Sequence, residues 1–177
     1  MKVIRKEPIF EGRVVKLFRY IIETPEGEQQ REVIEHRGAV AMLAFTKPDT
    51  IILEYRYRPA LDREIYELPA GILKPGEEVE TCAKRELLEE TGYEAEVVEK
   101  LISFYPTPGY TNECIHIVVM RNLRYVGKPA AEMSPEEKYM KIVEVRLDEA
   151  VEMIKRGEIT DGKTIIGILA YKLLKGR

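Results

Sequence analysis

The sequence predicts an α/β protein, in which helices cover both faces of a mixed β-sheet and antiparallel strands precede this sandwich. Three observations support the prediction. Apolar runs of strand length, separated by turn signals, fill most of the first two thirds of the chain. A Glu-rich segment of helical periodicity interrupts them, and two further helical segments end the chain. Strands flanked by helices in this order are typical of an α/β/α sandwich.

The elements follow from local patterns. Residues 12–35 alternate moderately and break at Thr24-Pro25-Glu26-Gly27, which predicts a hairpin. Gly92 and Asp161 are suited to end one helix and begin another. Strands are expected near residues 13–23, 28–36, 38–45, 51–57, 64–68, 95–105, 113–121 and 140–146, and helices near 77–91, 147–156 and 161–175. We therefore expect an N-terminal strand extension over residues 1–37 and a main domain over residues 38–177.

Composition narrows the class of protein. A chain of 177 residues is long enough for one domain with a substantial core. The net charge of -3 argues against general nucleic-acid binding, which usually requires a basic surface. No apolar stretch is long enough to span a bilayer, and the N-terminus does not resemble a signal peptide. Cys82 and Cys114 share no metal-ligand spacing. A cytoplasmic protein with reduced thiols and no membrane partner is expected.

The segment from Gly71 to Tyr93 carries the clearest chemical signal. It places Glu86, Glu89 and Glu90 on one short helix, where like charges three or four residues apart repel by about 0.2–0.5 kcal/mol per pair. Carboxylate oxygens gathered on one helix face suit Mg²⁺ or Mn²⁺. A solvated acidic face is the alternative interpretation.

The surrounding residues favour the metal site over a solvated face. Ala83 and Leu87 form an apolar stripe that can pack inward, so the carboxylates fall on another side of the helix. Arg85 lies four residues before Glu89 and can orient it. A solvated acidic helix would not require the turn at Pro69-Ala70-Gly71 that precedes it.

This segment also resembles a known family motif. Gly71-Ile-Leu-Lys-Pro-Gly-Glu77, seven further residues and Arg85-Glu-Leu-Leu-Glu-Glu-Thr-Gly-Tyr93 fill every specified position of the Nudix box, with Tyr93 as its final apolar residue. The resemblance extends from about Phe10 to Leu174 and is greatest to ADP-ribose pyrophosphatases. The segments that carry it are Arg31-Glu-Val-Ile-Glu-His36, Tyr57-Arg58-Pro59-Ala60, Glu67-Leu-Pro-Ala-Gly71, Tyr105-Pro-Thr-Pro-Gly-Tyr-Thr-Asn-Glu113 and Leu147-Asp-Glu-Ala150.

The resemblance implies a reaction. Enzymes of this group cleave ADP-ribose to AMP and ribose 5-phosphate with Mg²⁺, for which Mn²⁺ is a possible substitute. Two alternatives stay open: hydrolysis of another nucleoside diphosphate sugar such as GDP-mannose, and a catalytically silent nucleotide sensor. The retained box glutamates argue against the sensor.

The resemblance also implies residue roles. The metal ligands are the Ala70 carbonyl, Glu86, Glu89 and Glu90, and Arg85 orients the glutamates. The general base is a glutamate of the loop before the last strand, Glu137 or its neighbour Glu136. The substrate-binding residues are Arg31, Arg58, Gly71, Ile72 and Glu113. Relatives of this type exchange N-terminal strands, so a homodimer is expected.

Overall fold

The computed structural model describes residues 1–12, 14–129 and 138–175. The helices are α1 (Val79–Thr91), α2 (Leu147–Lys155) and α3 (Gly162–Leu174). The strands are β1 (Lys2–Glu11), β2 (Lys16–Thr24), β3 (Gly27–Glu35), β4 (Ala39–Lys47), β5 (Thr50–Arg58), β6 (Arg63–Glu67), β7 (Ala70–Ile72), β8 (Tyr93–Phe104), β9 (Ile115–Tyr125) and β10 (Lys141–Arg146). Within this part of the chain, no helix is both long and apolar enough to cross a membrane.

The strands form two separate sheets. β1, β2 and β3 make an antiparallel sheet in that order, and the hairpin turn between β2 and β3 lies where the sequence predicts it. The second sheet has the order β10-β5-β4-β9-β8, with β6 paired to β5 and β7 paired to β4. β4 and β9 run parallel, whereas the other pairs are antiparallel. The predicted mixed sheet is confirmed.

β4 lies at the centre of the sandwich and is buried on both faces. Successive side chains of a strand point to opposite faces, so its residues divide between two cores. Ala41, Leu43 and Phe45 pack with residues of α2 and α3. Val40, Met42 and Ala44 pack with Cys82, Ala83 and Leu87 of α1. Helices therefore cover both faces of the sheet, and the predicted α/β/α sandwich is confirmed.

Two strands were not predicted. β1 was missed because its charged and apolar residues do not alternate regularly; Pro8 interrupts it, the pairing with β2 is irregular, and nine of its ten residues are exposed. β7 lies within the segment expected to be a loop. Three residues give no periodic signal, and the strand forms because Ala70–Ile72 pairs with the first residues of β4.

The start of α3 is fixed to the segment that leads into β7. Asp161 caps the helix as predicted, since its Oδ2 accepts a hydrogen bond from the Thr164 amide at 3.0 Å. The fully buried Thr164 hydroxyl accepts a hydrogen bond from the Leu68 amide at 2.8 Å. A helix of one layer thus holds the backbone just before Ala70.

Candidate active site

A cavity of about 680 Å³ opens beside β7, between the start of α3 and the loop after β8. It brings together four of the five predicted substrate-binding residues, because Arg58, Gly71, Ile72 and Glu113 all line it. Arg31 is exposed on β3 and does not line this cavity. The other lining residues are His36, Ala39, Arg56, Ala70, Glu90, Phe104, Tyr105, Pro106, Thr107, Ile115, Asp161, Gly162, Lys163 and Ile166.

Gly71 and Glu86 are in direct van der Waals contact. A Cβ atom built at Gly71 would lie 1.9 Å from Cδ of Glu86, which is far inside any real contact distance. Only glycine therefore lets the Glu86 carboxyl group lie against β7. Burial raises the pKa of Glu86 above its ordinary value, although Arg85 opposes this shift.

Arg85 forms hydrogen bonds with three carboxylates around it. Its Nε and Nη2 donate to the two oxygens of Glu77 at 2.9 Å each, and its Nη1 donates to Glu86 at 2.6 Å and to Glu89 at 3.2 Å. The bonds from Arg85 and from the Lys74 amide lower the pKa of Glu77 to about 2. Arg85 therefore fixes the loop before α1 to the helix itself.

Glu90 lies deeper than Glu89. Its Oε2 accepts a hydrogen bond from the Ala70 amide at 3.0 Å, while its Oε1 lies 3.5 Å from Nη1 of Arg56. Burial raises the pKa of Glu90 well above its ordinary value, and the nearby charge of Glu54 raises it further. Glu89 has an exposed side chain that turns towards Arg85.

The glutamates of α1 do not converge on one point in this arrangement. In residues 1–12, 14–129 and 138–175, no three Asp, Glu, His or Cys side chains are grouped closely enough to hold a metal ion. Mutual repulsion and the two arginines explain why the carboxylates separate.

The residues nevertheless fit a divalent cation. Glu86 and Glu90 are both largely buried, and burial disfavours their charged forms. The adjacent Ala70 carbonyl supplies a third hard oxygen of the kind that Mg²⁺ and Mn²⁺ prefer. A cation held by Glu86, Glu90 and Ala70 would neutralise the charge that the arginines leave uncompensated.

A second charged cluster lies beneath the cavity. Glu67 is 2% exposed and accepts two hydrogen bonds from Arg58, at 2.5 and 2.6 Å, and one from Lys163 at 2.6 Å. Burial opposes ionisation of Glu67, but its bonds to Arg58 and Lys163 outweigh that effect and lower its pKa to about 2. Glu67 therefore holds two cationic side chains at the cavity wall.

The loop that carries Glu113 is attached to β3. The Ile34 amide donates to the Tyr110 carbonyl at 2.8 Å, and the His36 amide donates to Oδ1 of Asn112 at 2.7 Å. The His36 ring lies 3.5 Å from Glu113. The N-terminal sheet thus sets the position of a cavity carboxylate.

The sequence interpretation did not single out several cavity residues. Two of these residues, Arg56 and Lys163, are positively charged. In the sequence, Glu54 and Arg56 follow the apolar run Ile51-Ile52-Leu53. This pair of opposite charges next to a buried strand is the pattern that could have indicated Arg56. The proposed bases Glu136 and Glu137 lie outside the described residues.

Comparison with known proteins identifies the family. Residues 35–165 match the model of the NUDIX domain, which covers well over half of the chain. The chain therefore belongs to the Nudix family, and the resemblance seen in the box is confirmed. It is a Nudix pyrophosphohydrolase by its fold and box.

Three known proteins are similar to most of this chain. The chain is 44% identical to the methanol dehydrogenase activator of Bacillus methanolicus and 39% identical to the ADP-ribose pyrophosphatase of Bacillus subtilis (strain 168). Each match covers 97% of this chain and 92% of the relative. The GDP-mannose pyrophosphatase of Escherichia coli (strain K12) is 34% identical over 83% of this chain and 81% of its own.

A solved structure shows the same fold. The crystal structure of an ADP compounds hydrolase superposes with a TM-score of 0.82 and covers 99% of this chain and 94% of its own. At 21% identity this likeness concerns the fold alone.

The contact between Gly71 and Glu86 predicts the effect of a single methyl group. In Gly71→Ala the new Cβ displaces the flexible Glu86 side chain and not the backbone, so the fold should survive while Mn²⁺ binding weakens about tenfold or more. Isothermal titration with Mn²⁺ measures the affinity, and circular dichroism checks the fold. The matched control is Gly109→Ala, because a Cβ there meets no atom within 4 Å. Equal Mn²⁺ affinity in Gly71→Ala would contradict the assignment of Glu86.

The buried pairs of Glu67 predict a pH-dependent stability. The folded pKa of about 2 lies below the ordinary 4.5, so the ionised carboxylate stabilises the fold above pH 4.5 and loses this effect as the pH falls towards 2. Glu67→Gln should lower the free energy of unfolding by about 3 kcal/mol at neutral pH, since it removes the buried carboxylate that pairs with Arg58 and Lys163.

Urea denaturation of wild type and Glu67→Gln across this pH range tests the prediction. The difference between them should shrink as the pH falls. The exposed Glu152→Gln serves as the control and should change stability by less than about 0.5 kcal/mol. A difference that grows on acidification would contradict the ion pairs of Glu67.

Proposed function

We propose that this protein hydrolyses the pyrophosphate bond of ADP-ribose and releases AMP and ribose 5-phosphate, with Mg²⁺ or, in its place, Mn²⁺. One observation carries the proposal. Glu86 and Glu90 contact the glycine-containing strand β7 beside the cavity, and Arg56, Arg58 and Glu113 line that cavity. The ADP-ribose pyrophosphatase of Bacillus subtilis, similar over nearly the whole chain, supports this substrate.

Each side chain has a task in this proposal. Glu86, Glu90 and the Ala70 carbonyl hold the cation, with Glu89 assisting from the exposed side. A bound divalent cation neutralises phosphoryl charge and lowers the pKa of water. Arg58 is oriented by Glu67 and presents its remaining guanidinium hydrogens to the diphosphate. Gly71 and Ile72 offer a close backbone surface, and Glu113 accepts hydrogen bonds from the terminal ribose.

The general base belongs to the segment before β10. We propose Glu137, with Glu136 as the alternative, because a carboxylate must accept the proton of the attacking water near the operating pH. Both residues carry over from the resemblance to ADP-ribose pyrophosphatases and lie outside the described residues.

GDP-mannose is the second candidate substrate, since a relative of that name covers most of this chain. The lower identity and shorter match make it the weaker candidate. A silent nucleotide sensor is disfavoured, because Glu86 and Glu90 are both present, with Glu90 buried at the cavity and Glu86 partly buried against Gly71.

A substrate panel tests the activity directly. Purified protein with Mg²⁺ should convert ADP-ribose to AMP and ribose 5-phosphate faster than it cleaves GDP-mannose, as followed by ion-exchange chromatography of the products. Glu90→Gln should lower turnover by about a hundredfold or more, because it removes a cation ligand without changing side-chain size. Chelation of the metal should have the same effect.

The outcomes separate the candidates. Faster cleavage of GDP-mannose than of ADP-ribose would identify GDP-mannose as the preferred substrate. No cleavage of any diphosphate would favour the silent nucleotide sensor. Glu94→Gln, an exposed change on β8, is the matched control and should retain wild-type turnover.

We also propose a homodimer in which the N-terminal sheet contributes to the partner's cavity. β1 exposes Val3, Ile4, Ile9 and Phe10, which are suited to contact with a second copy. Arg31 is exposed on β3 and does not line the cavity beside β7. Exchange of N-terminal strands, as the resemblance implies, would bring Arg31 to the other subunit's diphosphate.

Complementation between two inactive variants tests this arrangement. Arg31→Ala and Glu90→Gln each lower activity alone, but mixing them after partial denaturation and refolding forms heterodimers. If Arg31 acts in the partner's cavity, one of the two sites in each heterodimer has both residues intact, so activity should recover. Light scattering establishes the dimer independently.

No recovery on mixing, with heterodimers shown to be present, would place Arg31 in its own subunit's site or outside any site. Mixing Glu86→Gln with Glu90→Gln is the control. Glu86 and Glu90 belong to the same subunit's site, so every site of the heterodimer lacks one of the two carboxylates. No activity should therefore return.

A further inference from the structure

Glu54 is a carboxylate in the middle of the protein core. It follows the apolar run Ile51-Ile52-Leu53 of β5 and is 0% exposed. Its Oε1 has no hydrogen-bond partner among the described residues, and its Oε2 lies 3.2 Å from Nη1 of Arg56. A buried carboxylate is costly unless it is fully paired, so this position requires an explanation.

Strand geometry places Glu54 beneath the proposed cation site. Side chains two residues apart on a strand share a face, so Ile52, Glu54 and Arg56 point the same way. Ile52 packs in the core that contains α1. The two charged residues therefore face the helix that carries Glu90.

Arg56 is shared between two carboxylates. The same nitrogen, Nη1, lies 3.2 Å from Glu54 and 3.5 Å from Glu90. The Arg56 side chain is 11% exposed, so water screens these interactions weakly. Glu54 neutralises part of the positive charge of Arg56. Arg56 therefore attracts the Glu90 carboxylate less strongly than it would without Glu54.

We propose that Glu54 is a positioning residue that keeps Glu90 available for the divalent cation. It does so by drawing the positive charge of Arg56 away from Glu90, and it need not touch the metal. The inference rests on the proposed cation site at Glu86 and Glu90. Without Glu54, Arg56 would pair with Glu90 alone and compete with the cation for the same oxygens.

A purely stabilising role for the pair predicts something different. If Glu54 and Arg56 served only the fold, removing either would disturb the site in the same direction. If Arg56 competes with the cation and Glu54 restrains it, the two changes act in opposite directions. Metal affinity, measured without substrate, therefore distinguishes these roles.

Mn²⁺ binding to four proteins tests the proposal, with free Mn²⁺ followed by electron paramagnetic resonance. Glu54→Gln should weaken binding about tenfold, and Arg56→Gln should strengthen it, because each changes one charge near Glu90 in a weakly screened environment. The double variant Glu54→Gln/Arg56→Gln should return close to wild type. Glu54→Asp keeps the charge and should bind better than Glu54→Gln.

Glu144→Gln is the matched control, an exposed change on β10 opposite Ile52 of β5, and should bind Mn²⁺ as wild type does. Weaker binding in Arg56→Gln, or unchanged binding in Glu54→Gln, would overturn the inference. If Glu54→Gln does not fold, Glu54→Asp replaces it in the comparison, and weaker or unchanged binding in Arg56→Gln still overturns the inference. A wild-type protein that binds no Mn²⁺ would instead reject the cation site on which the proposal rests.

Discussion

The concentration of negative charge at the junction of β7 and α1 is the constraint on which the site depends. Five carboxylates share two guanidinium groups there: Glu54, Glu77, Glu86, Glu89 and Glu90 contact Arg56 and Arg85. Water relieves such repulsion at an exposed surface, but Glu54 and Glu90 are buried. A bound divalent cation would compensate this negative charge.

The backbone of this junction is held from two sides. β7 pairs with the central strand β4, whereas the buried Thr164 of α3 holds the amide of Leu68. The Ala70 carbonyl, which we propose as a ligand, cannot adjust freely, because its strand is already paired. These contacts hold Gly71 where it lies directly against Glu86. The position of the backbone at the site therefore depends on contacts with both the central sheet and α3.

Sequence patterns predicted the box helix and eight of the strands because their signals are local. The limits of α1 follow from its apolar stripe and from Gly92, whose φ of 79° closes the helix. The motif predicted Arg58 as a substrate-binding residue, and Arg58 lines the cavity, but its hydrogen bonds to Glu67 were not predicted. That pair, like Glu54 with Arg56 and Glu90, depends on how strands and helices are placed in space. A glutamate in an apolar run signals an unusual position without identifying its partner.

The two arginines of the site differ in how completely their charge is used. Arg85 makes paired hydrogen bonds to Glu77 and further bonds to Glu86 and Glu89, so it acts mainly as a connector within α1 and its preceding loop. Nε of Arg56 is buried and has no partner among the described residues, and its Nη1 is divided between two carboxylates at longer distances. A guanidinium group with unused donors at a cavity wall can still turn towards an anionic ligand. The same weak pairing that would leave Glu90 free for the proposed cation would therefore also leave Arg56 free for a phosphate.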